Sequence, residues 1–136
     1  MQQINYTNAL GLDIGDKRIG VARINSVARL PEPLVTLENN ENFVLELKNI
    51  IDKESVYLLI VGLPRNMDGG ETQQTETVKE FAEVVLRPNI NLPIIFYDET
   101  LSSVEAEKYP ADVKQKMGLD AIAATEILKY FDEGNG

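Results

Sequence analysis

Three acidic positions in this 136-residue chain stand where carboxylates could do chemistry: Asp13 inside the apolar run Leu10-Gly11-Leu12-Asp13-Ile14, the pair Asp98-Glu99 after another apolar run, and Asp120 ahead of an amphipathic segment. A carboxylate in the middle of an apolar strand costs free energy unless it is paired or holds a metal. The chain has no histidine and no cysteine. Imidazole acid–base catalysis, thiolate chemistry and disulfides are therefore excluded, and any metal must be held by oxygen, which favours magnesium, manganese or calcium over zinc. Three carboxylates converging on one point would bind a divalent cation that activates water and neutralises charge developing on a phosphate, without a side-chain base. Each position also has a plainer reading. Asp next to Gly is ordinary turn chemistry, Asp98-Glu99 could be a solvated strand end, and Asp120 could serve only the start of a helix. Convergence is what separates the two readings.

Basic residues lie close to these acids in sequence. Lys17 and Arg18 follow Gly15-Asp16 at a bend, and Arg65 sits in Gly62-Leu63-Pro64-Arg65-Asn66-Met67-Asp68-Gly69, shortly before a helix. Free backbone N–H groups at such a helix start, with Arg65 nearby, could receive a phosphate; the alternative is a simple strand-to-helix loop. With 22 acidic against 13 basic residues the net charge is −9. That argues against broad non-specific attraction to nucleic acid but leaves room for a small basic rim around an acidic site.

The elements that must position these residues follow from the apolar patterning. Leu10–Ile14 and Ile19–Ile24 read as a hairpin, with Leu10, Leu12 and Ile14 on one face and Gly11 and Asp13 on the other. A short third strand is predicted at Leu34–Leu37, after two prolines, and a helix over Phe43, Val44, Leu47, Ile50 and Ile51. Val56–Val61 is continuously apolar, as a buried parallel strand would be, and gives way to Gly62-Leu63-Pro64. Thr75 to Leu86 reads as an amphipathic helix and Leu92–Tyr97 as a further buried strand. Ser102-x-x-Glu105 matches a capping box, and Asp120 opens a last helix with Ala123, Ala124, Ile127, Leu128 and Phe131 inward. An antiparallel meander joined to crossover units implies an α/β fold of ribonuclease H-like arrangement: a mixed five-stranded sheet flanked by helices, in one domain over residues 1–136. Met1 to Tyr6 lacks a basic segment followed by an apolar run, and no stretch approaches membrane-spanning length, so a cytoplasmic location without membrane contact is expected.

Four ordered motifs carry a family resemblance: Gly11-Leu12-Asp13-Ile14-Gly15-Asp16-Lys17-Arg18-Ile19-Gly20-Val21-Ala22, Val61-Gly62-Leu63-Pro64 with Met67-x-Gly69, Asp98-Glu99-x-Leu101, and Asp120-x-x-Ala123-Ala124-x-x-Ile127-Leu128. In order and spacing the chain resembles the YqgF/RuvX family over nearly its whole length. The resemblance implies a ribonuclease H-like fold and a nuclease acting on 16S ribosomal RNA precursors; an older family label is Holliday-junction resolvase homologue. It further implies that Asp13, Glu99 and Asp120 are the catalytic acids and the ligands of a Mg²⁺ or Mn²⁺ ion, that Asp98 supports them, and that Lys17 and Arg18 contact backbone phosphates; Arg65 joins them as a nucleic-acid-binding candidate from the loop reading above. Where the family usually shows Asp-Glu-Arg-Leu-Thr-Thr, this chain has Thr100 for the arginine and Ser102 and Ser103 for the threonines. That removes one bidentate donor. The strand beside the first one ends without an acid, at Gly62-Leu63-Pro64, so Glu99 would reach in from one strand further out.

The expected activity is thus metal-dependent hydrolysis of phosphodiester bonds in precursor rRNA, by a monomer or homodimer that meets RNA and ribosomal particles. The alternatives are a non-catalytic nucleic-acid or ribosome-associated module on the same fold, and a resolvase acting on branched DNA.

Overall fold

The computed structural model describes residues 3–65, 68–99, 110–112 and 118–135. The chain runs β1 (Asn8–Ile14), β2 (Arg18–Asn25), β3 (Glu32–Glu38), α1 (Phe43–Glu54), β4 (Leu58–Pro64), α2 (Gln73–Phe81), a π-helical turn (Ala82–Leu86), a short α3 (Arg87–Asn89), β5 (Ile94–Glu99) and α4 (Leu119–Asn135). The strands form one sheet in the order β3-β2-β1-β4-β5. β1, β2 and β3 pair antiparallel, whereas β4 lies parallel to both β1 and β5. This is the mixed five-stranded sheet expected from the element order.

Alternation along β1 separates the two sheet faces. Leu10, Leu12 and Ile14 join Ile19, Val21, Leu59, Val61 and Leu63 in a core covered by Phe43 and Leu47 of α1 and by Val78 of α2. The opposite face carries Ala9, Ala22, Ile24, Leu58 and Ile60 and is covered by Ala124, Ile127, Leu128 and Phe131 of α4. Small residues decide how close α4 comes. A Cβ on Gly11 would meet the Leu128 side chain and the Ala124 carbonyl, and one on Gly20 would collide with the backbone of Asp120 and Ala121. Only glycine leaves space for a helix backbone to lie directly on a strand.

Several boundaries differ from those read off the sequence. The Val56 strand starts at Leu58, because pairing with β1 begins at Ala9 opposite Leu58, and Tyr57 is left exposed. It also runs on through Gly62, Leu63 and Pro64, which pair with Tyr97, Asp98 and Glu99. β5 begins at Ile94 instead of Leu92 and contains Asp98 and Glu99. Pro33 is accommodated because β3 is an edge strand, with its register shifted beside it. In α4 the buried set is wider than predicted, taking in Ala121, Ile122, Thr125 and Glu126, whereas Ala123 is only half-buried. The capping box at Ser102–Glu105 lies outside the described residues; one is formed instead by Thr72 and Thr75 at the start of α2. Among the described residues no helix is long and apolar enough to cross a membrane.

Candidate active site

The β1–β2 hairpin places Asp13 directly opposite Gly20. Because α4 begins on top of Gly20, its first turn delivers Asp120 to the same spot. Gly118, just before the helix, has φ +84°, a left-handed conformation suited to glycine, and a Cβ there would meet the Thr36 hydroxyl. Thus Asp13 and Asp120, far apart in the chain, meet because glycine lets backbone approach backbone.

Asp13 is largely buried, and its carboxyl is pushed up to about 6, first by burial and then by the charge of Asp120. Among the described residues it has no hydrogen bond or ion pair of its own. Asp120 does have a partner: the Arg18 guanidinium donates through Nε to Oδ2 at 3.3 Å. Arg18 is the first residue of β2, directly after the bend. That bend is held by the Gly15 N–H donating to the Arg18 carbonyl at 2.9 Å. Asn39 clamps it from outside, with its backbone N–H donating to the Lys17 carbonyl and its Nδ2 to the Gly15 carbonyl, both at 2.9 Å. Lys17 is exposed and has no ion pair among the described residues.

The other predicted residues are arranged around the ends of β4 and β5. Asp98 accepts from Arg65 Nε at 3.0 Å, and Arg65 also pairs with Glu71 at 3.4 Å. Asp98 alternates with Tyr97, whose ring packs edge-on against Phe131 of α4. Asp98 therefore belongs to the face away from α4, held by Arg65 and apart from the Asp13–Asp120 pair. Glu99 ends β5 in register with Pro64, while its side chain lies outside the described residues. Among the described residues there is no group of three acidic side chains that could hold a metal. The two that do converge, one of them with its carboxyl raised by burial and then by the other's charge, have the chemistry of a cation site: a divalent ion would remove their mutual repulsion.

Where a phosphate cradle is expected, before α2, two backbone N–H groups are taken up from within. Thr72 and Thr75 cap each other's backbone N–H groups, and the Thr75 hydroxyl donates to the Pro64 carbonyl at the end of β4. Arg65 is engaged by two carboxylates there. Asn66 and Met67 lie outside the described residues.

Sequence reasoning did not single out Gly11, Gly20, Gly118 or Asn39 as site-forming residues. The first two were detectable: a hairpin turning after Gly15 sets Asp13 opposite Gly20, and a stripe of Gly11, Gly20 and Ala22 facing Ala121 and Ala124 announces close helix–strand contact. Asn39 gave no signal, because its role depends on β3 folding back beside the bend.

The chain is similar to known proteins over nearly its whole length. The family model RuvX, described as Holliday junction resolvase, matches residues 7–133. A protein of Caldanaerobacter subterraneus is 38% identical over 131 residues, covering 90% of this chain and 93% of its own. One of Clostridium acetobutylicum is 39% identical over 129 residues, covering 90% and 95%, and both carry the name "Putative pre-16S rRNA nuclease". Among solved structures, Thermus thermophilus RuvC in complex with a Holliday junction superposes with a TM-score of 0.56 at 10% identity, covering 94% of this chain and 95% of that one. The fowlpox virus resolvase bound to Holliday junction DNA gives 0.54 at 14% identity, covering 94% and 98%. At such identities these two likenesses establish the ribonuclease H-like fold. Matched by the family model from residue 7 to residue 133, this chain belongs to the RuvX family.

Proposed function

We propose that this protein is a nuclease that hydrolyses phosphodiester bonds of the 16S ribosomal RNA precursor, with Asp13, Asp120 and Glu99 holding a Mg²⁺ or Mn²⁺ ion. The observation that carries the reading is the juxtaposition of Asp13 and Asp120 at the open end of β1, with the Asp13 carboxyl raised to about 6. Close relatives named for pre-16S rRNA support the choice of substrate. When bound, the cation supplies an acidified water and neutralises charge on the phosphate. The chain's own residues do the rest. Burial of Asp13 keeps its charge unscreened and directed at whatever binds there. Arg18 and Lys17, at the bend beside the acids, hold backbone phosphates of the substrate. Arg65 fixes Asp98, and Asp98 braces the end of β5 that carries Glu99. With no histidine in the chain, no imidazole takes part in proton transfer. One domain suffices for this work, in the cytoplasm and on ribosomal precursor particles.

The description of the matching family favours a second reading, resolution of branched DNA. Purified protein is incubated with a precursor 16S RNA spanning the mature end, the matching mature RNA, and a four-way DNA junction, each with Mn²⁺, Mg²⁺ or chelator. Metal-dependent cleavage of the precursor, absent in Asp13→Asn, bears out the proposal. Cleavage confined to the junction transfers the assignment to resolvase. Binding of RNA without cleavage under any metal leaves a non-catalytic module.

A further inference from the structure

Arg18 touches Asp120 through Nε alone. Among the described residues neither Nη group has a partner, and the side chain is 62% exposed. A guanidinium recognises phosphate best with two parallel N–H donors, so the outer edge of this fork is still available while its inner edge rests on the carboxylate. Asp120 itself is 31% exposed, accessible to an incoming ion. The bend that carries Arg18 is clamped by Asn39, so changes of partner fall to the long side chain and not to the loop. A divalent cation on the Asp120 oxygen that faces Arg18 would stand against the guanidinium's own positive charge, so the two disfavour each other there.

We propose that Arg18 is a place-holder on Asp120 that a divalent cation displaces and a nucleic-acid phosphate draws away, so that binding of cation and of nucleic acid are coupled through this one side chain. The inference rests on the cation-site reading above and adds a mode of regulation to it. Without substrate, the guanidinium competes with the ion for Asp120. Once the ion is bound, Arg18 is free for the backbone; once a phosphate holds Arg18, Asp120 is free for the ion. Such coupling is reciprocal by linkage. Because the ion pair is exposed, its size is modest, about two- to fivefold in either affinity. Net-negative composition makes this useful: a resident cation at the acids limits their repulsion of an approaching polyanion.

The test compares the wild-type chain with Arg18→Gln and Lys17→Gln, which remove the same charge one residue apart. Mn²⁺ binding is measured by calorimetry without nucleic acid. The affinity of a cleavage-resistant 2′-O-methyl RNA oligonucleotide is then measured by fluorescence anisotropy, with and without saturating Mn²⁺, at constant ionic strength. The proposal expects Arg18→Gln to bind Mn²⁺ about two- to fivefold tighter than wild type and clearly tighter than Lys17→Gln. It also expects the Mn²⁺-dependent gain in oligonucleotide affinity to be smaller in Arg18→Gln than in wild type or Lys17→Gln. Equal Mn²⁺ affinities for the two variants, or an undiminished gain in Arg18→Gln, overturn it while leaving the cation site intact. Absence of Mn²⁺ binding in all three proteins overturns both the coupling and the cation site.

Discussion

The two faces of the sheet are built on opposite principles. Towards α1 and α2 the strands present Leu10, Leu12, Val21, Leu59 and Val61, large aliphatic side chains that fill a conventional core. Towards α4 a second apolar cluster of Ala9, Ala22, Ile24, Leu58 and Ile60 gives way, at one end, to Gly11, Asp13 and Gly20, where the helix above brings Asp120. Apolar burial stabilises both faces, at about 25 cal/mol per Å², and the larger cluster is on the first. On the second, small residues draw a helix backbone close enough to set two carboxylates against each other, at a cost in stability. The first face is core throughout, whereas the second combines a core with a strained electrostatic pair at one end. Local conflict of this kind is what functional sites show.

The largest effect that would sharpen this contrast is on activity at the α4 face. Asp13→Asn should reduce metal-dependent cleavage by more than about a hundredfold, roughly 3 kcal/mol of barrier, measured as initial rates on the precursor RNA. The same change should stabilise the metal-free protein. A raised carboxyl pKa means that the folded state binds the proton more tightly than the unfolded one. Its stabilising effect is therefore complete below about pH 4 and is lost as pH rises through about 6. At pH 7 the ionised, buried Asp13 should cost about 1–3 kcal/mol. The neutral amide of the Asp13→Asn variant removes that cost, so urea midpoints of mutant and wild type should diverge as pH is raised from about 4 to about 7.

On the other face the signs reverse. Leu59→Ala, at a fully buried central position, should cost about 2–5 kcal/mol in urea denaturation and leave the Mn²⁺-induced shift in melting temperature unchanged. If it abolished that shift while stability remained, the separation of the faces would be wrong.

Gly20→Ala tests where the faces meet. The added methyl lies where the Asp120 backbone now runs, so α4 must move. About 1–3 kcal/mol of stability should be lost, together with Mn²⁺ affinity, since Asp120 moves with the helix. Loss of stability with unaltered Mn²⁺ binding would show that Asp120 is not held by this contact.

The smallest effect is expected at Asn39→Ala, which deletes one side-chain hydrogen bond to the bend. Stability should fall by about 1 kcal/mol. Oligonucleotide affinity should fall modestly as Lys17 and Arg18 lose their fixed support, as read by anisotropy at low salt.

The sequence alone determined the element order, the mixed sheet, the two-faced character of β1 and the anomaly of Asp13. These rest on periodicity and on the cost of an unpaired carboxylate among apolar side chains, both local properties. It also pointed to Asp120, though only as one of two readings, since a helix-start aspartate and a site aspartate look alike until the helix is placed. Tertiary structure decided the rest. The ends of β4 and β5 were set by which partners they found across the sheet, Leu63 opposite Asp98 and Pro64 opposite Glu99, not by their own hydrophobicity. The pairing of Arg65 with Asp98 and of Arg18 with Asp120, the latter 102 residues apart, could not be read from spacing. Nor could the proximity of Asp120 to Asp13, which depends on α4 seating its backbone on Gly20. Side-chain chemistry is written residue by residue, but the distance between two charges is a property of packing.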